Sequence, residues 1–163
     1  MPRTSVSTVV AYAGAFVTAI SATAEAQHPA SWAAQPAAVT VVGADYAYTD
    51  LPSTLRPGPT LFAFENHGTK RHEMSILLLK SGIAMETLVG AADHPAVSSR
   101  AVSDSIVGLL LARPGEHSGG QLYVNLVAGR DYVVICTLRD TPDARPHADL
   151  GMIGVIRVRE TAP

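Results

Sequence analysis

The sequence predicts an all-β domain, a Greek-key antiparallel β-sandwich with a short helical or loop insertion at about residues 83–115. Two observations carry this reading. Short segments rich in Val, Ile, Leu and aromatic residues recur along the chain, and clusters of Pro and Gly punctuate them. Only one stretch breaks the β pattern, and a chain of that kind folds as two packed sheets.

The elements follow in order. Met1 to Ser5 carries Arg3, Val6 to Ile20 is mostly apolar, and small residues lead to Ala24-Glu25-Ala26. This is the pattern of a secretory signal peptide over 1–26. A retained membrane anchor is the alternative, but Ser7, Thr8, Gly14 and Thr18 interrupt a stretch already shorter than the roughly 20 apolar residues a spanning helix needs. Removal of 26 of the 163 residues leaves 137, enough for one domain with a sizeable core. Residues 27–38 (QHPASWAAQPAA) read as a flexible Pro/Ala-rich lead, and 39–159 as the domain.

Within the domain, Val39 to Tyr48 reads as a strand, and Pro52, Pro57, Gly58 and Pro59 mark turns over Leu51 to Pro59. Thr60 to Asn66 is strand-like, His67-Gly68 a turn. Glu73 to Lys80 (EMSILLLK) is a strand too apolar to be half exposed along its length. Ile83 to Gly90 suggests one or two helical turns, Asp93 to Val102 a loop, and Ser105 to Leu111 either helix or strand. Strand signals return at Gln121 to Val127, Asp131 to Cys136 and Ile153 to Arg159. The last two are joined by Thr137 to Gly151, fifteen residues without an apolar period. Compact domains seldom keep an unstructured connection longer than about 12–15 residues without a functional reason.

Net charge is −2 with histidine neutral, and no basic stripe suited to phosphate appears, which argues against a nucleic-acid partner. Cysteine is more telling. Exported domains that use cysteine structurally use it in pairs, yet Cys136 is alone. It is followed by His147 and Met152. A thiolate, an imidazole and a thioether converging on one point form a soft donor set, which selects copper over calcium, magnesium or manganese. Taken singly, Cys136 reads as a small apolar side chain, His147 as a solvated loop residue and Met152 as core packing.

The run Gly129 to Cys136 (GRDYVVIC), then Pro146-His147 and Gly151-Met152-Ile153, resembles the C-terminal half of a cupredoxin, the fold of plastocyanin and azurin. In that family a strand delivers the Cys, a loop a His, and the start of the final strand a Met. The remaining ligand is a His on an earlier strand after an Asn/Gly turn. The segment Asn66 to Met74 (NHGTKRHEM) has that form, so His72 matches, with His67 as a rival. The resemblance spans roughly Val39 to Val158. It implies one type 1 copper ion with His72, Cys136 and His147 as equatorial ligands and Met152 as a weak axial one, a geometry acceptable to both Cu(II) and Cu(I).

The signal-peptide pattern implies an exported protein, periplasmic or secreted, and the resemblance implies a monomeric one-electron carrier and not an enzyme. An exposed His147 edge, flanked by Pro146, Ala148 and Leu150, would dock a redox partner transiently. The chain departs from the pattern twice. The loop between Cys136 and His147 is longer than in plastocyanin-type proteins. Glu73 stands where the better known members carry an uncharged polar residue that helps hold the sulfur, and a carboxylate there disfavours the added electron. Two other classes stay open: a copper carrier or storage module with the same ligands, and a metal-free interaction domain. A Cys136 nucleophile with His147 as base leaves His72 and Met152 unexplained. His28, His94 and His117 fall in leader, loop and turn segments.

Overall fold

A computed structural model describes residues 35–83, 99 and 101–160. The expected signal peptide, most of the lead and residues 84–98 of the expected insertion lie outside the described residues. Among those described, no helix is long and apolar enough to cross a membrane.

Two sheets make the domain. The first contains β1 (Ala37–Ala44), β2 (Ala47–Tyr48), β4 (Gly58–Asn66) and β7 (Leu122–Leu126), in the order β2-β1-β4-β7. The second contains β3 (Thr54–Leu55), β5 (His72–Leu79), β6 (Ser103–Ala112), β8 (Asp131–Ile135) and β9 (Ile153–Val158), in the order β3-β9-β8-β5-β6. The two-sheet sandwich is the predicted one. Both sheets are mixed, however, because β1 pairs parallel with β4 and β3 parallel with β9. Parallel neighbours need a crossover. Here the chain supplies it by turning back through β2 and visiting the second sheet as β3 before entering β4.

Two elements differ from expectation. The segment Val39 to Tyr48 is a hairpin, with Ala44 facing Ala47 across a turn at Asp45-Tyr46. Asp is unfavourable inside a strand and common in turns, and Asp45 accepts hydrogen bonds from the Thr69 and Lys70 N–H groups, which pins the turn. The later part of the expected insertion is strand β6, which pairs with β5 from His72–Ala112 to Leu79–Ser103. Its burial varies along a sheet edge, with Ile106 and Leu109 exposed, so its apolar residues do not by themselves distinguish strand from helix.

Burial follows position. In β4 every second residue is buried, the pattern of a strand with one face on the core. By contrast β5 and β8 lie in the middle of the second sheet and are buried on both faces. Met74, Ile76, Tyr132 and Val134 meet Val41, Phe62, Phe64 and Val124 between the sheets. On the outer face Leu77, Leu79, Val133 and Ile135 cluster with Ala148. Cys136 and Met152 belong to the inter-sheet core, at the end where β8 stops and β9 begins.

Ile76 is fully buried between the sheets and Ile106 is 60% exposed on β6. Ile76→Ala should destabilise the domain by about 2–5 kcal/mol through lost contacts and the cavity left behind. Ile106→Ala should change stability by no more than about 0.5 kcal/mol. Urea unfolding of the two variants checks the contrast.

Candidate metal centre

Three elements deliver the candidate side chains. His72 opens β5 and Cys136 directly follows β8. His147 begins a single 3-10 turn, His147–Leu150, inside the long connection. That connection is organised by backbone bonds: the His147 N–H donates to Leu138 O at 2.8 Å, and the Ala148 N–H to Cys136 O at 2.8 Å. The Met152 N–H donates to His147 O at 2.9 Å, and the Cys136 N–H to Met152 O at 3.1 Å. Gly151 closes the turn at φ 120°, a region that favours glycine.

Asn66 shapes the approach to His72. Its side-chain amide donates to Lys70 O and Ala112 O, while its carbonyl oxygen accepts from the Gly68 N–H. The turn at 67–71 is thereby held on one side by Asn66 and on the other by Asp45. His67, the rival ligand, is exposed, with Nε2 3.1 Å from Glu65 Oε2. It is His72 that joins Cys136 and His147 in one buried group, whose donor atoms all lie within 4.8 Å of one another.

The geometry inside that group is specific. Nδ1 of His72 and Nδ1 of His147 are 3.1 Å apart, and Cys136 Sγ lies 3.4 Å from the second and 4.0 Å from the first. The outward nitrogens meet carboxylates: His72 Nε2 is 3.3 Å from Asp45 Oδ1, and His147 Nε2 is 3.2 Å from Asp140 Oδ1. An ionised carboxylate only accepts, so each Nε2 carries its proton, and in the neutral ring Nδ1 then presents a lone pair inward. Two lone pairs and a sulfur then converge with one thiol proton among them. A cation at the centre satisfies all three, and the separations suit donors around an ion bonded at about 2.0–2.3 Å. The donor set therefore fits a soft transition-metal ion.

The electrostatics agree with a dry site. Burial pushes the Cys136 thiol up to about 11, a rise that hydrogen bonds from the Glu73 and Leu138 N–H groups partly offset. Burial lowers the His72 pKa, with Asp45 opposing. Asp45 is held low chiefly by the Thr69 hydroxyl, and Asp140 by the Tyr46 hydroxyl. Tyr46 donates to Asp140 Oδ2 at 2.6 Å and sets its ring edge-on to both imidazoles, 5.2 Å from His147 and 6.4 Å from His72 between centroids.

Some expectations change here. His147 is 1% exposed, and Pro146 and Ala148 are buried with it, so the expected exposed imidazole edge is closed over by Asp140 and Tyr46. Of that flank only Leu150 is exposed. Glu73 does not touch the sulfur through its carboxylate. Its backbone N–H lies 3.4 Å from Sγ, while Oε1 accepts from the Thr137 N–H and hydroxyl, both at 2.7 Å. Met152 is fully buried, and its terminal methyl lies against Gly43, where a Cβ would come within 3.0 Å of it. Asp45, Tyr46 and Asp140 were not identified from sequence as partners of the site. An Asp interrupting an apolar run was a usable signal for the turn; nothing in the sequence marks Tyr46.

No family model and no curated protein matches the chain. Among solved structures it is similar to sodium-dithionite-reduced auracyanin from the photosynthetic bacterium Roseiflexus castenholzii, at 22% identity and TM-score 0.49, covering 77% of this chain and 97% of that one. It is also similar to auracyanin B, at 19% identity and TM-score 0.49, covering 79% and 91%. A third is auracyanin A, a "blue" copper protein from the green thermophilic bacterium Chloroflexus aurantiacus, at 19% identity and TM-score 0.47, covering 77% and 100%.

Glu73 is 6% exposed, and its carboxylate is the acceptor for the Thr137 N–H beside the thiol. Glu73→Ala removes that acceptor from a largely dry site and should cost about 1–3 kcal/mol. Glu73→Gln keeps an acceptor oxygen and should cost clearly less. Thermal unfolding of the metal-free variants separates the two.

Proposed function

We propose that the chain is an exported type 1 copper protein that carries single electrons between redox partners, with His72, Cys136 and His147 as the strong ligands and Met152 as the weak axial one. The observation that carries this reading is the convergence of two imidazole Nδ1 lone pairs and a thiol sulfur in one buried group. When bound, copper would supply a Cu(II)/Cu(I) couple that accepts one electron from a reduced partner and passes it to an oxidised one.

The residues around it do the rest. Strand ends and backbone bonds fix three donors from separate elements, so a change of oxidation state moves them little. Burial of all three excludes water. That burial also favours a resident ion over one handed on, because a carrier that exchanges its ion needs ligands a partner can reach. A metal-free interaction domain gains nothing from two imidazole lone pairs 3.1 Å apart beside a neutral thiol. The partner is a transiently docking redox protein, and the carrier works as a monomer in the periplasm or outside the cell.

Addition of Cu(II) to the purified protein should produce an intense visible thiolate-to-copper band, and Cys136→Ser should abolish it. Persistence of the band in the serine variant would overturn the assignment. Met152→Leu should keep the colour and raise the potential in cyclic voltammetry, since it removes a weak donor and leaves the trigonal set intact.

A further inference from the structure

We propose that Asp45 and Asp140 are a matched pair of positioning residues: each holds one imidazole with Nδ1 turned inward, and together they bias the site toward the more highly charged oxidation state. The inference rests on the copper reading above and deepens it.

Both imidazoles are treated alike. Each outward Nε2 meets one carboxylate oxygen, at 3.3 Å for Asp45 and 3.2 Å for Asp140. The two carboxylates come from unrelated places, one from the β1–β2 turn and one from the loop after β8, so no single local motif produces the symmetry. Asp45 has a second task, since it also accepts from the Thr69 N–H and hydroxyl and the Lys70 N–H. Asp140 is placed differently. Its hydrogen bonds run to the Tyr46 hydroxyl and to His147, which leaves the imidazole as its evident purpose. Tyr46, which seats it, sits at φ 63°, a backbone conformation that a non-glycine residue keeps only where its surroundings over-determine it.

The chemistry follows from these contacts. A carboxylate that accepts from the outer N–H of a ligating histidine fixes the tautomer and ring orientation and makes the inner nitrogen a stronger donor. Two negative charges one imidazole's width from the ion also favour Cu(II) over Cu(I) by simple Coulomb attraction. Asp45 and Asp140 are 34% and 27% exposed, so solvent screens part of that charge. Outer partners of this kind are worth about 10–100-fold in metal affinity, and with the charge partly screened the ratio of Cu(II) to Cu(I) affinity should change by about tenfold per carboxylate. Tenfold corresponds to about 59 mV for one electron.

Two measurements on the whole chain test this. With copper bound, Asp140→Asn and Asp45→Asn should each shift the affinity ratio about tenfold toward Cu(I), read as a rise in midpoint potential. With Zn(II) as a diamagnetic probe that accepts the same imidazole and thiolate donors, proton NMR should show slowly exchanging Nε2–H signals for both histidines. Asp140→Ala and Tyr46→Phe should each speed exchange of the His147 signal, while Asp140→Asn, which keeps an acceptor oxygen, should preserve it. If the parent protein binds neither ion, the copper reading fails and this inference falls with it. If the parent shows the thiolate band, yet both Asn variants keep the affinity ratio within about twofold and Asp140→Ala leaves exchange unchanged, the inference alone is overturned.

Discussion

At the end of the sandwich where β8 stops, two imidazole nitrogens stand 3.1 Å apart with a buried thiol beside them, and a carboxylate behind each ring orients both lone pairs inward. That arrangement is unfavourable on its own terms. Lone pairs repel, burial penalises charge, and a single proton cannot satisfy three donors. A polypeptide keeps such a cluster only where rigid surroundings hold it, and the surroundings here are rigid for reasons visible in the chain. Strand β5, which begins at His72, and strand β8, which stops one residue before Cys136, are buried on both faces, so neither ligand rides on a segment free to drift.

The long connection solves a related problem. A fifteen-residue loop would be a poor platform for a ligand, because ordering it costs entropy at every residue. Its last third is instead tied to β8 and β9 by the bonds among Cys136, Leu138, His147, Ala148 and Met152. Ala148 is also drawn into the outer apolar cluster with Leu77 and Ile135. His147 is thus fixed from both sides, by backbone bonds to the strand that carries the thiol and by packing of its neighbour onto that strand's outer face. Glu73 adds a third tie by fastening Thr137, the first residue of the connection.

Much of this was legible in the sequence, and the unread part has a physical pattern. The two-sheet sandwich and the strands β4, β5, β7, β8 and β9 follow from apolar runs and turn residues; Cys136 and His147 stand out by ligand chemistry, and His72 joins them only through the cupredoxin resemblance. What stayed hidden depends on pairing between distant segments. The parallel registers of β1 with β4 and β3 with β9 leave no local signal, because a parallel strand differs from an antiparallel one only in its neighbour's direction. Strand β6 was ambiguous because an edge strand with exposed Ile106 and Leu109 lacks the clean alternation that distinguishes strand from helix. The carboxylates were hidden for the same reason: Asp45 falls inside a segment read as one strand and Asp140 inside a long loop, and only the fold brings them behind the two rings.

On the proposed electron-carrier reading, the closure of His147 changes where an electron would enter. The imidazole edge expected at the surface has Asp140 against its Nε2 and the Tyr46 ring against its face, so a docking partner meets a carboxylate and a phenol before it meets the ligand. Lys70 stands near enough to act on Asp140, so the cap carries charge of both signs. It also trades access for definition. The same contacts that lengthen the path to the ion keep water from the imidazole and hold its orientation when the charge at the centre changes. A site built this way favours one fixed geometry over easy exchange of its ligands, which is what an electron carrier requires and an ion carrier does not.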